Sequence, residues 1–217
     1  MIVNRVHKFV FVHIPKTAGT SLRKALGSLS GRDMEVVAGT KHETPREFLS
    51  AYRSRCGRDP NELQDFVWIA FVRNPWDRFL SLHRYLRLPH HRRKWPQIPA
   101  DVNDFARLLE QPPEWTKSIR SLRPQIDYIE GCDPWIGHFE TLTDDFTHLK
   151  NLLGFEGRLR HLNQSSLSHP VWPFRFRTHH QELDEQSRQI LTSLYAEDIK
   201  RFGYCEGSVL LECRTPR

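Results

Sequence analysis

The sequence predicts an α/β fold built on a central, mainly parallel sheet flanked by helices. Two observations carry that prediction. Phe9-Val10-Phe11-Val12-His13-Ile14 and Phe66-Val67-Trp68-Ile69-Ala70-Phe71-Val72 are short continuous apolar runs rich in β-branched and aromatic residues. Unalternated runs of this length suit strands buried on both faces. Amphipathic stretches lie between and after them, and strands alternating with helices argue a parallel sheet.

In chain order, Leu22, Leu26 and Leu29 form one stripe of a helix over 21–29. Met34-Glu35-Val36-Val37 is a weaker strand candidate. Thr44-Pro45-Arg46-Glu47 is a capping box with proline at the first helical position, opening a helix through about Tyr52. Asn74-Pro75 opens another, carrying Phe79, Leu80, Leu82, His83 and Leu86. The basic run His90-His91-Arg92-Arg93-Lys94 lies between Pro89 and Pro96 and is expected on a loop, as a solvated tip or as a rim for an acidic substrate. Trp135-Ile136-Gly137-His138-Phe139 is a further strand candidate. Phe146, Leu149, Leu152 and Leu153 form a helix stopped at Gly154. Leu183, Ile190, Leu191, Leu194 and Ile199 predict one longer helix ending near Gly203. No internal repeat or linker-like stretch appears, so 1–217 reads as a single domain.

Composition narrows the class. With 217 residues and 38% hydrophobic residues the chain is not intrinsically disordered. Its 11 Gly and 14 Pro are ordinary, which excludes collagen-like sequence. The longest apolar run is about seven residues, short of the roughly 18 of a membrane-spanning helix. The first residues lack a secretory signal pattern, so a cytoplasmic protein is expected. Cys56, Cys132, Cys205 and Cys213 form no C-x-x-C pair, and free thiols are expected, with a Cys205–Cys213 bridge as the alternative. A net charge of +6 favours anionic partners without choosing among them.

The passage with the most chemistry is Val12-His13-Ile14-Pro15-Lys16-Thr17-Ala18-Gly19-Thr20-Ser21-Leu22. A strand ends, a short loop follows and a helix begins, so backbone N–H groups and the helix dipole converge on one point suited to an anion. Gly19 would let the anion approach closely, Lys16 adds a full charge, and Thr17, Thr20 and Ser21 add hydroxyls. This is not a Walker A loop, because the lysine precedes the glycine instead of preceding the Ser/Thr directly.

A second passage, Val72-Arg73-Asn74-Pro75-Trp76-Asp77-Arg78-Phe79-Leu80-Ser81, follows the second strand. Arg73 at its carboxyl end and Ser81, about two helical turns on, can both reach one phosphate. Ligands of open parallel sheets sit beyond the carboxyl ends of the strands. Alone the pattern is weak; about sixty residues after the first loop it is strong.

Together these motifs resemble the sulfotransferase superfamily, most closely the carbohydrate branch that resembles heparan sulfate 2-O-sulfotransferase and many bacterial enzymes. The resemblance extends to Pro124-Gln125-Ile126-Asp127-Tyr128-Ile129, Phe139-Glu140-Thr141-Leu142, His161-Leu162-Asn163-Gln164-Ser165 and the stretch Tyr195 to Tyr204. It implies a P-loop-like three-layer fold and the donor 3′-phosphoadenosine 5′-phosphosulfate (PAPS), with 3′-phosphoadenosine 5′-phosphate (PAP) as product. By resemblance, Lys16, Thr17, Ala18, Gly19, Thr20 and Ser21 would hold the 5′-phosphosulfate. Arg73 and Ser81 would hold the 3′-phosphate, and the segment around Asn163 and Ser165 would close over the donor. Lys16 is the cation for the leaving oxygen, and no metal is expected.

The acceptor hydroxyl needs a base. His42 is the first choice, because it precedes the capping box in a segment expected near the carboxyl edge of the sheet, and several family members place a histidine similarly. Glu43 is the alternative base, and a bystander role for His42 stays open. His13 reads as structural or as a support behind the reacting groups, and His83 as packing. The tryptophans can stack on a sugar or on adenine, or simply pack. The expected acceptor is a hydroxyl of a glycan or another small molecule, with no nucleic acid and no membrane span; a homo-oligomer is open. Two other readings stand beside this one: a kinase or NTPase using ATP and magnesium, and a non-catalytic polyanion binder.

Overall fold

The computed structural model describes residues 1–27, 34–35, 42–156, 159 and 182–205. They divide between two compact units. The first holds Met1–Val72 and Gln125–Asn163, the second Arg73–Pro124 and Gln164–Arg217.

A five-stranded sheet forms the first unit. β1 (Ile2–Asn4) and β2 (Phe9–Val12) pair antiparallel across the turn at residues 5–8, and β3 (Met34–Glu35) pairs antiparallel with β1. β4 (Val67–Val72) and β5 (Trp135–His138) continue the sheet in parallel, giving the order β3-β1-β2-β4-β5. Two antiparallel steps return β3 to the direction of β2, so four strands run one way and only β1 opposes them. The sheet is mainly parallel, as expected. β1 itself has no counterpart in the sequence reading, because three residues are too few to show a period.

Alternation sends successive side chains to opposite faces. Phe9, Phe11, Ile69 and Phe71 point to one face and meet Leu22, Ala25 and Leu26 of α1 (Gly19–Gly27). Leu142, Phe146 and Leu149 of α6 (Leu142–Leu153) complete this core. Burying such a side chain contributes about 1.5–3 kcal/mol. On the other face Trp68 meets Phe48 of α2 (Pro45–Cys56), ring centroids 6.3 Å apart. Helix, sheet and helix therefore form three layers. The capping box stands as predicted, since Thr44 Oγ1 accepts from Glu47 N and Glu47 accepts from Thr44 N. α2 runs on past Tyr52 to Cys56.

The second unit is helical. α3 (Pro75–Leu86) is capped by Asn74, and Phe79 stacks on Phe105 of α5 (Val102–Leu108), centroids 5.3 Å apart. The basic run is a loop only in part: α4 (Pro89–Arg92) makes one helical turn of His90, His91 and Arg92, with Pro89 supplying a first position that needs no N–H donor, and Arg93 and Lys94 follow in a turn. The single long helix expected near the end is two, α7 (Glu185–Leu194) and α8 (Ala196–Phe202), divided at Tyr195. Its hydroxyl donates to the Leu122 carbonyl at 3.0 Å and its ring lies under the Arg78 guanidinium. This tertiary anchor prevails over a continuous apolar stripe.

Candidate active site

The first loop takes its shape from where the ladder stops. β2 ends at Val12, and Pro15, lacking an N–H, cannot extend it. Lys16 and Ala18 then adopt the left-handed region, φ 70° and 64°, with Thr17 between them on the ordinary side. That region costs a residue bearing a side chain roughly 1–2 kcal/mol. The alternation is one that turns successive N–H groups towards a common centre, an anion nest. Ala18 stands at the N-cap position of α1, where its methyl cannot accept a hydrogen bond. Its carbonyl receives Ser21 N at 2.9 Å and Leu22 N at 3.1 Å. Among the described residues the N–H groups of Gly19 and Thr20 find no acceptor. A helix start left open in this way, with Lys16 alongside in sequence, is built to take an anion.

Two details differ from the sequence reading. The Thr17 hydroxyl, expected to face a ligand, donates to the Ile14 carbonyl at 3.0 Å and Thr17 is buried. The space a side chain would need at Gly19 is filled from within: a Cβ there would fall 1.9 Å from His13 Nε2. The exposed Thr20 and the buried Ser21 lie on the first turn of α1.

His42 belongs to the same unit. Its Nδ1 lies 2.9 Å from the His13 carbonyl, and the two imidazole centroids are 4.5 Å apart. A carbonyl only accepts, so Nδ1 carries the hydrogen and Nε2 of the neutral ring keeps the lone pair. His42 is itself left-handed, φ 68°. Glu43, the alternative base, is 1% exposed and held between Arg55 and the Met1 amino group, 2.8 Å from the latter. Both of its carboxylate oxygens are engaged, Oε1 by the amino group and Oε2 by Arg55.

The second loop opens the second unit. Arg73, the residue after β4, is half-buried, as is Ser81 in the middle of α3. Seven residues separate Ser81 from the Asn74 cap, which returns it to the same helix face about 10 Å along the axis. Asn74 Oδ1 accepts from Trp76 N at 3.1 Å and Asp77 N at 3.3 Å. Arg78 is 1% exposed and donates to the carbonyls of Ser121 and Arg123, both at 2.9 Å. Asn163 and Ser165 lie outside the described residues.

Other candidates resolve into packing. His83 is buried against Phe105 with Nε2 2.9 Å from the Pro99 carbonyl, and burial lowers its pKa. Trp76 is buried, and Trp135 packs on Phe71 and His148. Cys56, Cys132 and Cys205 are free; burial pushes the Cys132 thiol up to about 12. Cys213 lies outside the described residues. The sequence reading did not name Asp145, which closes the end of β5 by accepting from His138 N at 2.7 Å and from the Thr141 hydroxyl at 2.8 Å. Burial opposes ionisation of Asp145, yet these hydrogen bonds hold its pKa below the usual carboxylate value. Among the described residues no group of His, Cys, Asp and Glu is arranged to hold a metal. No helix among them is long and apolar enough to cross a membrane.

The profile of the Sulfotransferase family matches residues 1–205. The chain is 23% identical to Carbohydrate sulfotransferase 10 of Xenopus laevis over 252 aligned positions, covering 97% of this chain and 68% of that protein. Carbohydrate sulfotransferase 11 of Danio rerio is 24% identical over 250 positions, with 97% and 68% covered. Carbohydrate sulfotransferase 10 of Homo sapiens is 24% identical over 245 positions, with 94% and 67% covered. No solved structure matches the chain.

Proposed function

Because the chain belongs to the Sulfotransferase family and is a sulfotransferase, we propose that residues 1–217 act as one domain that sulfates a carbohydrate hydroxyl, with PAPS as donor. The carbohydrate acceptor follows the names of the relatives, and the donor follows the family. The observation that supports the donor most is the open start of α1, where Ala18 leaves the Gly19 and Thr20 N–H groups for an anion. The residues fit such a group: a nest, an uncapped helix and a lysine, all beyond the carboxyl end of β2.

When bound, PAPS supplies an activated sulfuryl group whose departure leaves negative charge on a phosphate oxygen. The loop from Lys16 to Ser21 holds the 5′-phosphosulfate, mainly through backbone N–H groups. Lys16 places its ammonium where that charge grows, which stabilises the transition state more than the ground state. Arg73 and Ser81 bind the 3′-phosphate by side chains, and Asn163 and Ser165 close over the donor. His42 accepts the acceptor's proton at Nε2, its ring held by the bond from Nδ1 to the His13 carbonyl. No metal has a part in this reading. The acceptor is a glycan or a small molecule bearing a sugar, and the site of action is the cytoplasm.

Calorimetric titration with PAP, beside ADP and ATP–magnesium, tests the proposal without an acceptor in hand. Tight binding that requires the 3′-phosphate and ignores magnesium is expected. Preference for ATP–magnesium would replace this reading by a kinase or NTPase, and binding of none of the three would remove the donor site.

A further inference from the structure

The His13 side chain is unused in the mechanism above, yet it touches two of its parts. It is 8% exposed at the end of β2, where an aliphatic residue would bury at lower cost. The ring stacks on Phe11 at 6.1 Å and meets the His42 imidazole at 4.5 Å, while its own carbonyl takes the His42 hydrogen bond. On another side it lies against the Cα of Gly19. A Cβ at position 19 would come within 1.9 Å of His13 Nε2 and 2.0 Å of Cδ2, distances that real Cβ atoms do not show. Gly19 does not occupy the left-handed region, so backbone conformation gives no reason for a glycine there. Intrinsic helix propensity would favour alanine. Of the two reasons that remain, close approach of an anion and the imidazole, the contact in the structure is with the imidazole.

We propose that His13 is a positioning residue, a spacer set between the start of α1 and the His42 imidazole that keeps donor loop and base in one geometry. Gly19 is its complement. The assignment rests on the reading of His42 as the base. It makes the glycine of the first loop a requirement of the neighbouring histidine and not of the ligand.

A double-mutant cycle of Gly19→Ala and His13→Ala separates the two accounts. In the protein with His13, Gly19→Ala should lower the melting temperature and weaken PAP binding tenfold or more. In the His13→Ala background the same change should leave PAP affinity within about twofold and the melting temperature unchanged or raised. An equal penalty in both backgrounds overturns the proposal and returns Gly19 to the ligand. Should Gly19→Ala fail to fold, recovery of folded protein in the double variant is the expected rescue, and its failure to fold overturns the idea.

Nitrogen-15 NMR of the histidine rings supplies the readout that mere packing would not move. His42 should be the Nδ1–H tautomer in the parent protein; His13→Ala keeps the carbonyl that accepts this hydrogen but removes the ring packed on the His42 imidazole, so a mixture of tautomers is expected there. An unchanged His42 tautomer there removes the link to the base. If the parent protein binds no PAP, the proposed donor fails, while the melting cycle and the tautomer still judge the spacer.

Discussion

The two loops that follow β2 and β4 begin alike, as a buried strand turning into a helix, and are finished in opposite ways. In the first, Ala18 cannot cap α1, and two residues with side chains accept left-handed backbone beside helix N–H groups that find no acceptor among the described residues. In the second, Asn74 caps α3 and takes the N–H groups of Trp76 and Asp77. An anion at the first loop can be held by the backbone, whereas one at the second has to be held by Arg73, Ser81 and their like. The first site should therefore tolerate side-chain changes that spare its backbone. The second should tolerate changes in its backbone bonds and fail when a side chain is lost.

The largest expected effects lie at the two groups of the first unit proposed above to take part in the transfer. His42→Ala should lower turnover by roughly 10² to 10⁴ with little change in PAP affinity, measured as initial rates beside calorimetry. Lys16→Ala should cost on the order of 10² to 10³ in rate with an unchanged melting temperature. Near-normal transfer by either variant would take that residue out of the mechanism.

Next comes the contrast between the loops. Arg73→Ala should weaken PAP binding about ten- to hundredfold, as expected for loss of a charged hydrogen bond, and should leave ADP binding unchanged. Thr20→Ala, which keeps the first loop's backbone, should change either affinity by less than about threefold, a small share of such a bond. Equal losses from both substitutions would break the distinction drawn here.

Smaller still is the cap itself. Asn74→Ala should cost about 1 kcal/mol of stability in denaturant unfolding and leave donor affinity nearly unchanged; a large affinity loss would mean that the cap also serves the ligand.

The last effect depends on pH. The folded pKa of Asp145 lies below its unfolded value of about 3.9, so its contribution is present above that value and is lost as pH falls through the folded one. Melting curves between about pH 2 and pH 5 should show a steeper acid limb for the parent protein than for Asp145→Asn. Identical limbs would remove Asp145 from the acid response.

The fold was legible where a segment carried its own signal. The apolar runs over β2 and β4, the capping box at Thr44, the Asn74-Pro75 start and the Gly154 stop all act within a few residues, and each stands where expected. What escaped depends on distant partners. β1 is a strand because β2 and β3 flank it, and the break at Tyr195 exists because its hydroxyl reaches Leu122. The candidate site divides the same way. Lys16 and Arg73 were named from residue type and spacing, and His42 from its place before the capping box together with the family resemblance. That Thr17 turns to Ile14, and that Gly19 faces His13, follows from how the loop folds back on the end of β2, which residue spacing does not show.

Arg78 carries a lesson about modularity. It sits inside the second loop by sequence, yet both of its hydrogen-bond acceptors described above are carbonyls more than forty residues on, beside the elbow that Tyr195 pins to Leu122. Residues 73–81 are therefore not a portable cassette. Grafted onto another scaffold alone, they would bring a buried cation without the carbonyls that receive it. The smallest transferable part is the loop together with the turn at 120–123 and the α7–α8 elbow.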